Sequence, residues 1–329
     1  MTINNGGGCQ QRRLRRYSLL AAAIVCLADG PGSASCAIYR CRTMFIIVGI
    51  AVVLGCVIGG FLMINGPLHT LIQPSEFVVI GGAAIGSVIA ANPIKSLMLV
   101  TKKLPAALKG SPYNKASFTE LLKMQYDVYV NAKKSGLLSI EEDINAPEKS
   151  SIFSKYPVFL HNHHAVEFFC DAMKMLVNGT AQPEELEMMM ESELETHHAE
   201  NAIVPGILTR MSDSLPGLGI VAAVLGIVVT MQHLDGPPEE LGHHVGAALV
   251  GTFLGLLLSY GMVAPISANM ENLSHDEAKY YTCIKAGVVA YANGAAPISA
   301  VEFARKTIFS FDRPSNAEIE PLLKEIKPR

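Results

Sequence analysis

Four apolar stretches limit what this chain can fold into more than any other feature. Crossing the hydrocarbon core of a membrane takes about 20 apolar helical residues. Residues 45–64, 77–93, 214–232 and 245–270 come close to or reach that length. The first carries no charge, the second lies between Glu76 and Lys95, and the third begins just after Asp213. The second and third are short when counted between charges, and the flanking Pro74-Ser75 and residues 199–208 extend them by a turn. All four contain several glycines, which let helix backbones approach closely inside lipid. A buried bundle in a soluble protein is the alternative, but the mean hydropathy of +0.32 lies above the usual soluble range.

The distribution of Lys and Arg gives the orientation. The connections 65–76 and 233–244 contain neither residue, whereas Arg40 and Arg42 precede the first span. Lys95, Lys102, Lys103 and Lys109 follow the second span, and Lys279 and Lys285 follow the fourth. Both termini and the long segment between the second and third spans are therefore expected in the cytoplasm, with the chain multi-pass. The fold class is all-α: four transmembrane helices with a large cytoplasmic helical domain inserted between spans two and three.

The expected domain plan has five parts. Residues 1–43 are an extension, 44–97 hold spans one and two, and 98–204 form the inserted domain. Residues 205–272 hold spans three and four, and 273–329 form a cytoplasmic helical tail. Arg12, Arg13, Arg15 and Arg16 before the apolar run 18–28 imitate a signal peptide. A cleaved signal would place the next segment outside, against the charge rule. An upstream start adding a disordered extension fits better, because Met44 opens the first span directly.

Within the insert, residues 119–134 carry an imperfect apolar helical stripe that Gly136 breaks. Ser139 and Glu142 have capping-box spacing, and Pro147 stops that short element. Further helices are expected over 165–177 and over the acidic run 184–198, separated by the Asn178-Gly179 turn. After the fourth span the helix continues through 271–292. Another helix covers 297–306, and Arg313-Pro314-Ser315 turns the chain.

Catalytic chemistry finds little support. His161, His163 and His164 cluster, as do His197-His198 and His243-His244, and Glu193 and His197 are four residues apart. There is no HExxH and no third ligand at a diagnostic distance, so these read as surface or capping histidines. Neither a Walker motif nor a GxSxG elbow is present. The seven cysteines include no CxxC pair. No catalytic residue, metal or cofactor is expected, and a net charge of −3 argues against nucleic acid. The expectation is a protein that is not an enzyme.

The more telling feature is a missing acid. None of the spans has an ionisable residue in its middle, although intramembrane acids normally mark ion paths. A conducting complex would have to take its carboxylate from a partner. Pro216 and Pro265 lie at the cytoplasmic ends of the third and fourth spans, where each removes a helical hydrogen bond. They are ordinary membrane-helix prolines or a paired hinge. Thr252 lies at mid-depth, its hydroxyl facing a pore or bonding back to its own helix.

Three motifs carry a family resemblance. DSLPGLGIVAAVLG from Asp213, VGTFLGLLLSYG from Val250 and APISAVEFARK from Ala296 resemble the third-span, fourth-span and post-membrane segments of the MotA family of flagellar stator subunits. The resemblance covers residues 44 to the end and implies a stator subunit. Five copies surround two copies of MotB, which carries the proton-accepting Asp. It makes Pro216 and Pro265 the coupling prolines and Thr252 an ion-path residue, with Asp213 at the head of the third-span motif counted beside them. It places the contacts to the rotor protein FliG on Lys133 and Glu141. The alternatives are a sodium-driven stator, an ExbB/TolQ-like energiser of outer-membrane processes, which usually has three spans, and a histidine-dependent membrane metalloenzyme.

Overall fold

The computed structural model describes residues 35–107, 110–232 and 237–326. Residues 1–34 of the expected extension lie outside them, and residues 35–43, expected to be disordered, open the first helix. The chain divides into two units between Ile38 and Tyr39, and all four apolar windows belong to the second. Twelve α-helices are found among the described residues: α1 (Ser35–Met63), α2 (Pro74–Ala91), α3 (Ile94–Ala107), α4 (Lys115–Ser135), α5 (Glu141–Asn145), α6 (Pro157–Leu160), α7 (His163–Asn178), α8 (Pro183–Met231), α9 (Pro238–Leu258), α10 (Ala264–Ala292), α11 (Pro297–Lys306) and α12 (Asn316–Lys324). A π-turn, Ser259–Val263, joins α9 to α10 without a break in the rod.

Four helical segments are long and apolar enough to cross a membrane, as the sequence implies: one each in α1, α2 and α8, and one in the continuous rod of α9 and α10. The α1 window, Ile46–Met63, has a mean hydropathy of 2.8 and buries none of its residues in this chain. A helix apolar on every side whose contact with the rest of the chain includes little more than Val53 beside Gly261 needs lipid or another subunit around it. It ends where Asn65 takes a left-handed φ of 57° and the Gly66 N–H bonds the Phe61 carbonyl at 3.0 Å. A Cβ on Gly66 would come within 2.5 Å of the Phe61 ring, so the turn needs glycine there.

The third and fourth spans meet backbone to backbone. A Cβ on Gly219 would lie 2.9 Å from the Gly251 carbonyl oxygen and 3.1 Å from the Gly255 Cα. One on Gly255 would lie 2.7 Å from the Leu215 carbonyl oxygen, and one on Gly226 would lie 2.7 Å from the Ala248 Cβ. Lipid supplies no hydrophobic drive for helices to associate, so this close van der Waals contact does the holding. Ile80 and Ala84 of α2 complete the cluster against Leu215, Ala222 and Leu254.

One difference from the sequence reading concerns α8. The acidic segment and the third span were expected as separate helices. They form one 49-residue helix, roughly 74 Å long at 1.5 Å per residue. Pro205 and Pro216 lie inside it without ending it. A proline kinks a helix only as far as its neighbours allow, and α10 and the π-turn pack along this stretch. The capping box expected at Ser139 does not form. The Ser139 hydroxyl instead donates to the Gly136 carbonyl at 2.7 Å, inside a 3₁₀ turn that leads into α5.

The inserted domain does not close on itself. Leu121, Leu122, Met124 and Val128 of α4 and Phe169 and Met173 of α7 share one core with residues beyond the fourth span. Those are Tyr280, Ile284 and Val288 of α10, Val301 and Ala304 of α11, and Ile319 and Leu323 of α12. Asn114 and Ser117 cap α4 reciprocally, each side chain meeting the other's backbone N–H at 2.7 Å. Gln125, fully buried, donates to the Cys283 and Ile284 carbonyls at 3.4 and 3.2 Å. Gly287 makes room for it, since a Cβ there would lie 2.6 Å from Gln125 Oε1. Burial pushes the Cys170 thiol up to about 12, so it is a packing group and not a reactive one.

Arg305 anchors the turn after α11. It donates to both Glu302 oxygens, at 2.7 and 2.8 Å, and to the Pro314 carbonyl at 2.8 Å. The hydrogen bonds from Arg305 hold the Glu302 carboxyl below its usual range. A depressed carboxyl stabilises the fold fully above about pH 4.5 and loses that contribution as pH falls through its folded value.

Two outcomes are expected. Glu302→Gln lowers stability at pH 7 by under about 1 kcal/mol, since Glu302 is partly solvated, and the gap from wild type closes on acidification below pH ~4.5. A denaturation series against pH, read by the α-helical signal, checks it. Gly255→Ala, with its Cβ against backbone, costs about 1–3 kcal/mol, while Gly242→Ala, with open space around it, costs far less. The yield and melting temperature of membrane-extracted protein distinguish the two.

Candidate functional site between the third and fourth spans

The residues singled out in the sequence fall into two groups that are far apart along the fold. Pro216, Thr252, Asp213 and Pro265 belong to the seam of the third and fourth spans. Thr252 is half-buried, its Cα 3.4 Å from where a Gly219 Cβ would sit. No hydrogen bond holds its hydroxyl among the described residues, so it does not bond back to its own helix. Pro216 is half-buried within α8, and Asp213, one turn earlier, is exposed on this chain. Pro265 is exposed and follows the π-turn directly.

The two prolines are joined through serines. The buried Ser259 hydroxyl donates to the Ser212 carbonyl at 2.7 Å, and Ser212 Oγ lies 3.1 Å from Ser259 Oγ. Ser212 precedes Pro216 by one turn, and Ser259 opens the π-turn that runs up to Pro265. A π-turn widens the helix by one residue, which gives the Pro265 ring the room an α-turn denies it.

Glu76 is the residue that sequence reasoning undervalued. Taken as the outer limit of the second span, it lies in the first turn of α2 and is only 7% exposed. A Cβ on Gly251 would come within 2.6 Å of its Oε2 and 3.2 Å of the Ala222 Cβ. Its Oε2 has no hydrogen-bond partner in the structure. The expectation of spans without an acid is thus amended: a carboxylate is turned into the three-helix seam beside Thr252. The usable signal was position, because an acid at N3 of a helix opened by Pro74 is still on the helix.

Lys133 and Glu141 form the second group. Lys133 is exposed in the last turn of α4, and Glu141 is exposed at the start of α5. Gly136, at φ 88°, turns the chain between them. Neither makes a salt bridge among the described residues.

A network not foreseen in the sequence connects bundle and insert. Lys103 of α3 donates to Asn201 Oδ1 at 2.6 Å, and Asn201 donates to Glu277 Oε2 at 2.9 Å. The Tyr113 hydroxyl donates to Glu277 Oε1 at 3.3 Å and accepts from Asn162 at 3.1 Å. His197 joins it, with Nε2 3.7 Å from Glu277 Oε1 and its ring 4.5 Å from Tyr281. The expected surface role does not describe His197. Its neighbours Glu277 and Tyr281 come from α10 and His164 from α7, which local sequence spacing cannot reveal. Among the described residues no group of His, Cys, Asp and Glu is arranged to hold a metal.

Comparison with known proteins agrees with this architecture. Residues 47–136 match the model for the motility protein A N-terminal region, and residues 161–282 match the MotA/TolQ/ExbB proton channel family. Motility protein A of Escherichia coli is 40% identical over 284 residues, covering 86% of this chain and 96% of that protein. The chemotaxis protein LafT of Vibrio parahaemolyticus is 35% identical, covering 84% of this chain and 98% of that protein. A solved structure of C. jejuni MotAB superposes with a TM-score of 0.69 at 23% identity, covering 82% of this chain and 98% of that one. The MotAB stator complex from Bacillus subtilis gives 0.62 at 22% identity, covering 83% and 97%. With motif, span layout and near full-length identity in agreement, this chain belongs to the motility protein A family of flagellar stator subunits.

Proposed function

We propose that the chain is the ion-path and torque-transmitting subunit of a proton-driven flagellar stator, in the inner membrane with both termini in the cytoplasm. One observation carries this. The glycine-packed seam of the third and fourth spans carries the buried Glu76 against Gly251, Thr252 against Gly219, and Pro216 further along toward its cytoplasmic end. Asp213 heads the third-span motif at the cytoplasmic end.

The solved relatives are described as MotAB complexes, which supports a MotB partner here. That partner supplies the carboxylate that is protonated and released. A single half-built seam also suits a ring of copies, five in this reading, closing around the partner. The apolar α1, none of whose window is buried in this chain, faces lipid or the neighbouring copy. Glu76 sets an unpartnered carboxyl oxygen in the seam, a polar foothold on the way to the partner's acid. Proton release there alters packing along the third and fourth spans, and Pro216 and Pro265 let that change bend the rods. The bend shifts the inserted domain, where Lys133 and Glu141 meet charges on the rotor protein FliG. No step in this cycle needs a covalent intermediate, so the chain acts without enzymatic chemistry. The match of residues 47–136 to the motility N-terminal model favours a motor over an ExbB/TolQ-like energiser. Sodium is the other coupling ion this seam would serve.

Swimming provides the test. Pro216→Leu is expected to insert and assemble yet leave cells non-motile; normal swimming by that variant refutes the coupling role. Glu76→Gln should assemble and swim more slowly, with reduced ion conductance. Exposed ion pairs contribute about 0–1 kcal/mol each, so Lys133→Ala or Glu141→Ala alone should slow the motor modestly, and Lys133→Glu with Glu141→Lys should stop it. Speed that tracks external sodium at constant pH would replace the proton with sodium.

A further inference from the structure

The helix that carries the third span contains two internal prolines, and each leaves a carbonyl without its helical donor. In an α-helix the N–H of residue i bonds the carbonyl of residue i−4, and proline has no N–H. Pro216 therefore abandons the Ser212 carbonyl, and Pro205 abandons the Asn201 carbonyl. A buried carbonyl left unmade in a membrane protein is costly, because lipid offers no replacement donor.

The neighbouring rod supplies the donors. Ser259, 0% exposed, gives its hydroxyl to the Ser212 carbonyl at 2.7 Å. At the second proline the donor is weaker: Ser274 Oγ lies 3.4 Å from the Asn201 carbonyl but 3.1 Å from the Met270 carbonyl of its own helix. Between them Ser267 donates to the Pro205 carbonyl at 2.8 Å and meets Thr209 Oγ1 at 2.8 Å. Ser259, Ser267 and Ser274 follow at intervals of eight and seven residues, two turns each, and so share one face of the rod. The Ser259 contact is the tightest and is reciprocated. With its own proton committed to the Ser212 carbonyl, Ser259 accepts from the Ser212 hydroxyl, which lies 3.1 Å from Ser259 Oγ and 3.3 Å from the Ser259 carbonyl. That carbonyl is bonded in turn by the Ala264 N–H, closing the π-turn.

We propose that Ser259 is a positioning residue, which caps the carbonyl opened by Pro216 and so fixes where the third and fourth spans stay joined when the stator works. Of the three serines along this face, Ser259 alone gives its proton to a carbonyl that a proline has opened, and it does so at the membrane hinge. Its role in torque rests on the proposed hinge action of Pro216 and Pro265; the capping itself does not.

A double-mutant cycle separates the two. The full stator complex, co-expressed with its MotB-type partner and purified in detergent, is melted as wild type, Ser259→Ala, Pro216→Ala and the double variant. Ser259→Ala should lower the melting temperature by about 2–4 °C. In the Pro216→Ala background the same change should cost markedly less, only the Ser212 hydroxyl contact being lost, because the alanine that replaces the proline brings a backbone N–H, which takes the Ser212 carbonyl. An equal loss in both backgrounds, or no loss in the first, overturns the cap. Stall torque per assembled stator is then measured for Ser259→Ala in swimming cells. Lower torque at an unchanged stator number supports the positioning role. A coupled cycle with unchanged torque upholds the cap and overturns the hinge reading.

Discussion

Backbone contact between the third and fourth spans is the constraint on which the rest depends. Gly219, Gly251 and Gly255 bring two helices so close that each would collide with the other if it gained a single methyl group. The same absence of side chains leaves a pocket beside Gly251 that the Glu76 carboxylate occupies. It also brings Ser259 within reach of a carbonyl on the facing helix. Loosening this seam would separate three features at once: the buried acid, the capped proline and the packing that keeps α2 in place.

Polar groups follow a different rule on each side of the membrane boundary. Within the seam they are few, and hydroxyls make good the hydrogen bonds that prolines remove. In the inserted domain they are networked. Asp127, nearly fully buried, is held by Lys155 at 3.0 Å, Tyr156 at 3.1 Å and Asn131 at 2.9 Å. The Lys103–Asn201–Glu277 chain crosses from one region to the other. α8 and α10 belong to both regions, and the core of the insert includes Tyr280 and Val301, so movement in one is passed to the other through continuous helices.

The sequence was readable where the signal was local. Four apolar windows, the Asn178-Gly179 turn and the helix beginning at Pro297 all rest on composition or on one or two residues, and each appears in the structure. Gly179 takes the left-handed cap at φ 60° that such a turn requires. Readings that depended on partners distant in the chain fared less well. The continuity of α8 through Pro205 and Pro216 depends on the rod beside it. The burial of Glu76 depends on a glycine 175 residues away. The setting of His197 depends on Glu277. Pattern along one segment cannot report what another segment brings to it.

The unbroken length of α8 has a mechanical consequence. From Pro216 to its first residue, Pro183, the helix extends for roughly 50 Å. A tilt of about 5° at Pro216 would sweep the acidic end through roughly 4 Å, by the same rise per residue. That is comparable to the spacing between ionic groups on a protein surface. If Pro216 is the hinge proposed above, a displacement at the membrane too small to disturb glycine packing would be magnified, by the leverage of the long helix, into a step large enough to exchange one electrostatic partner for the next.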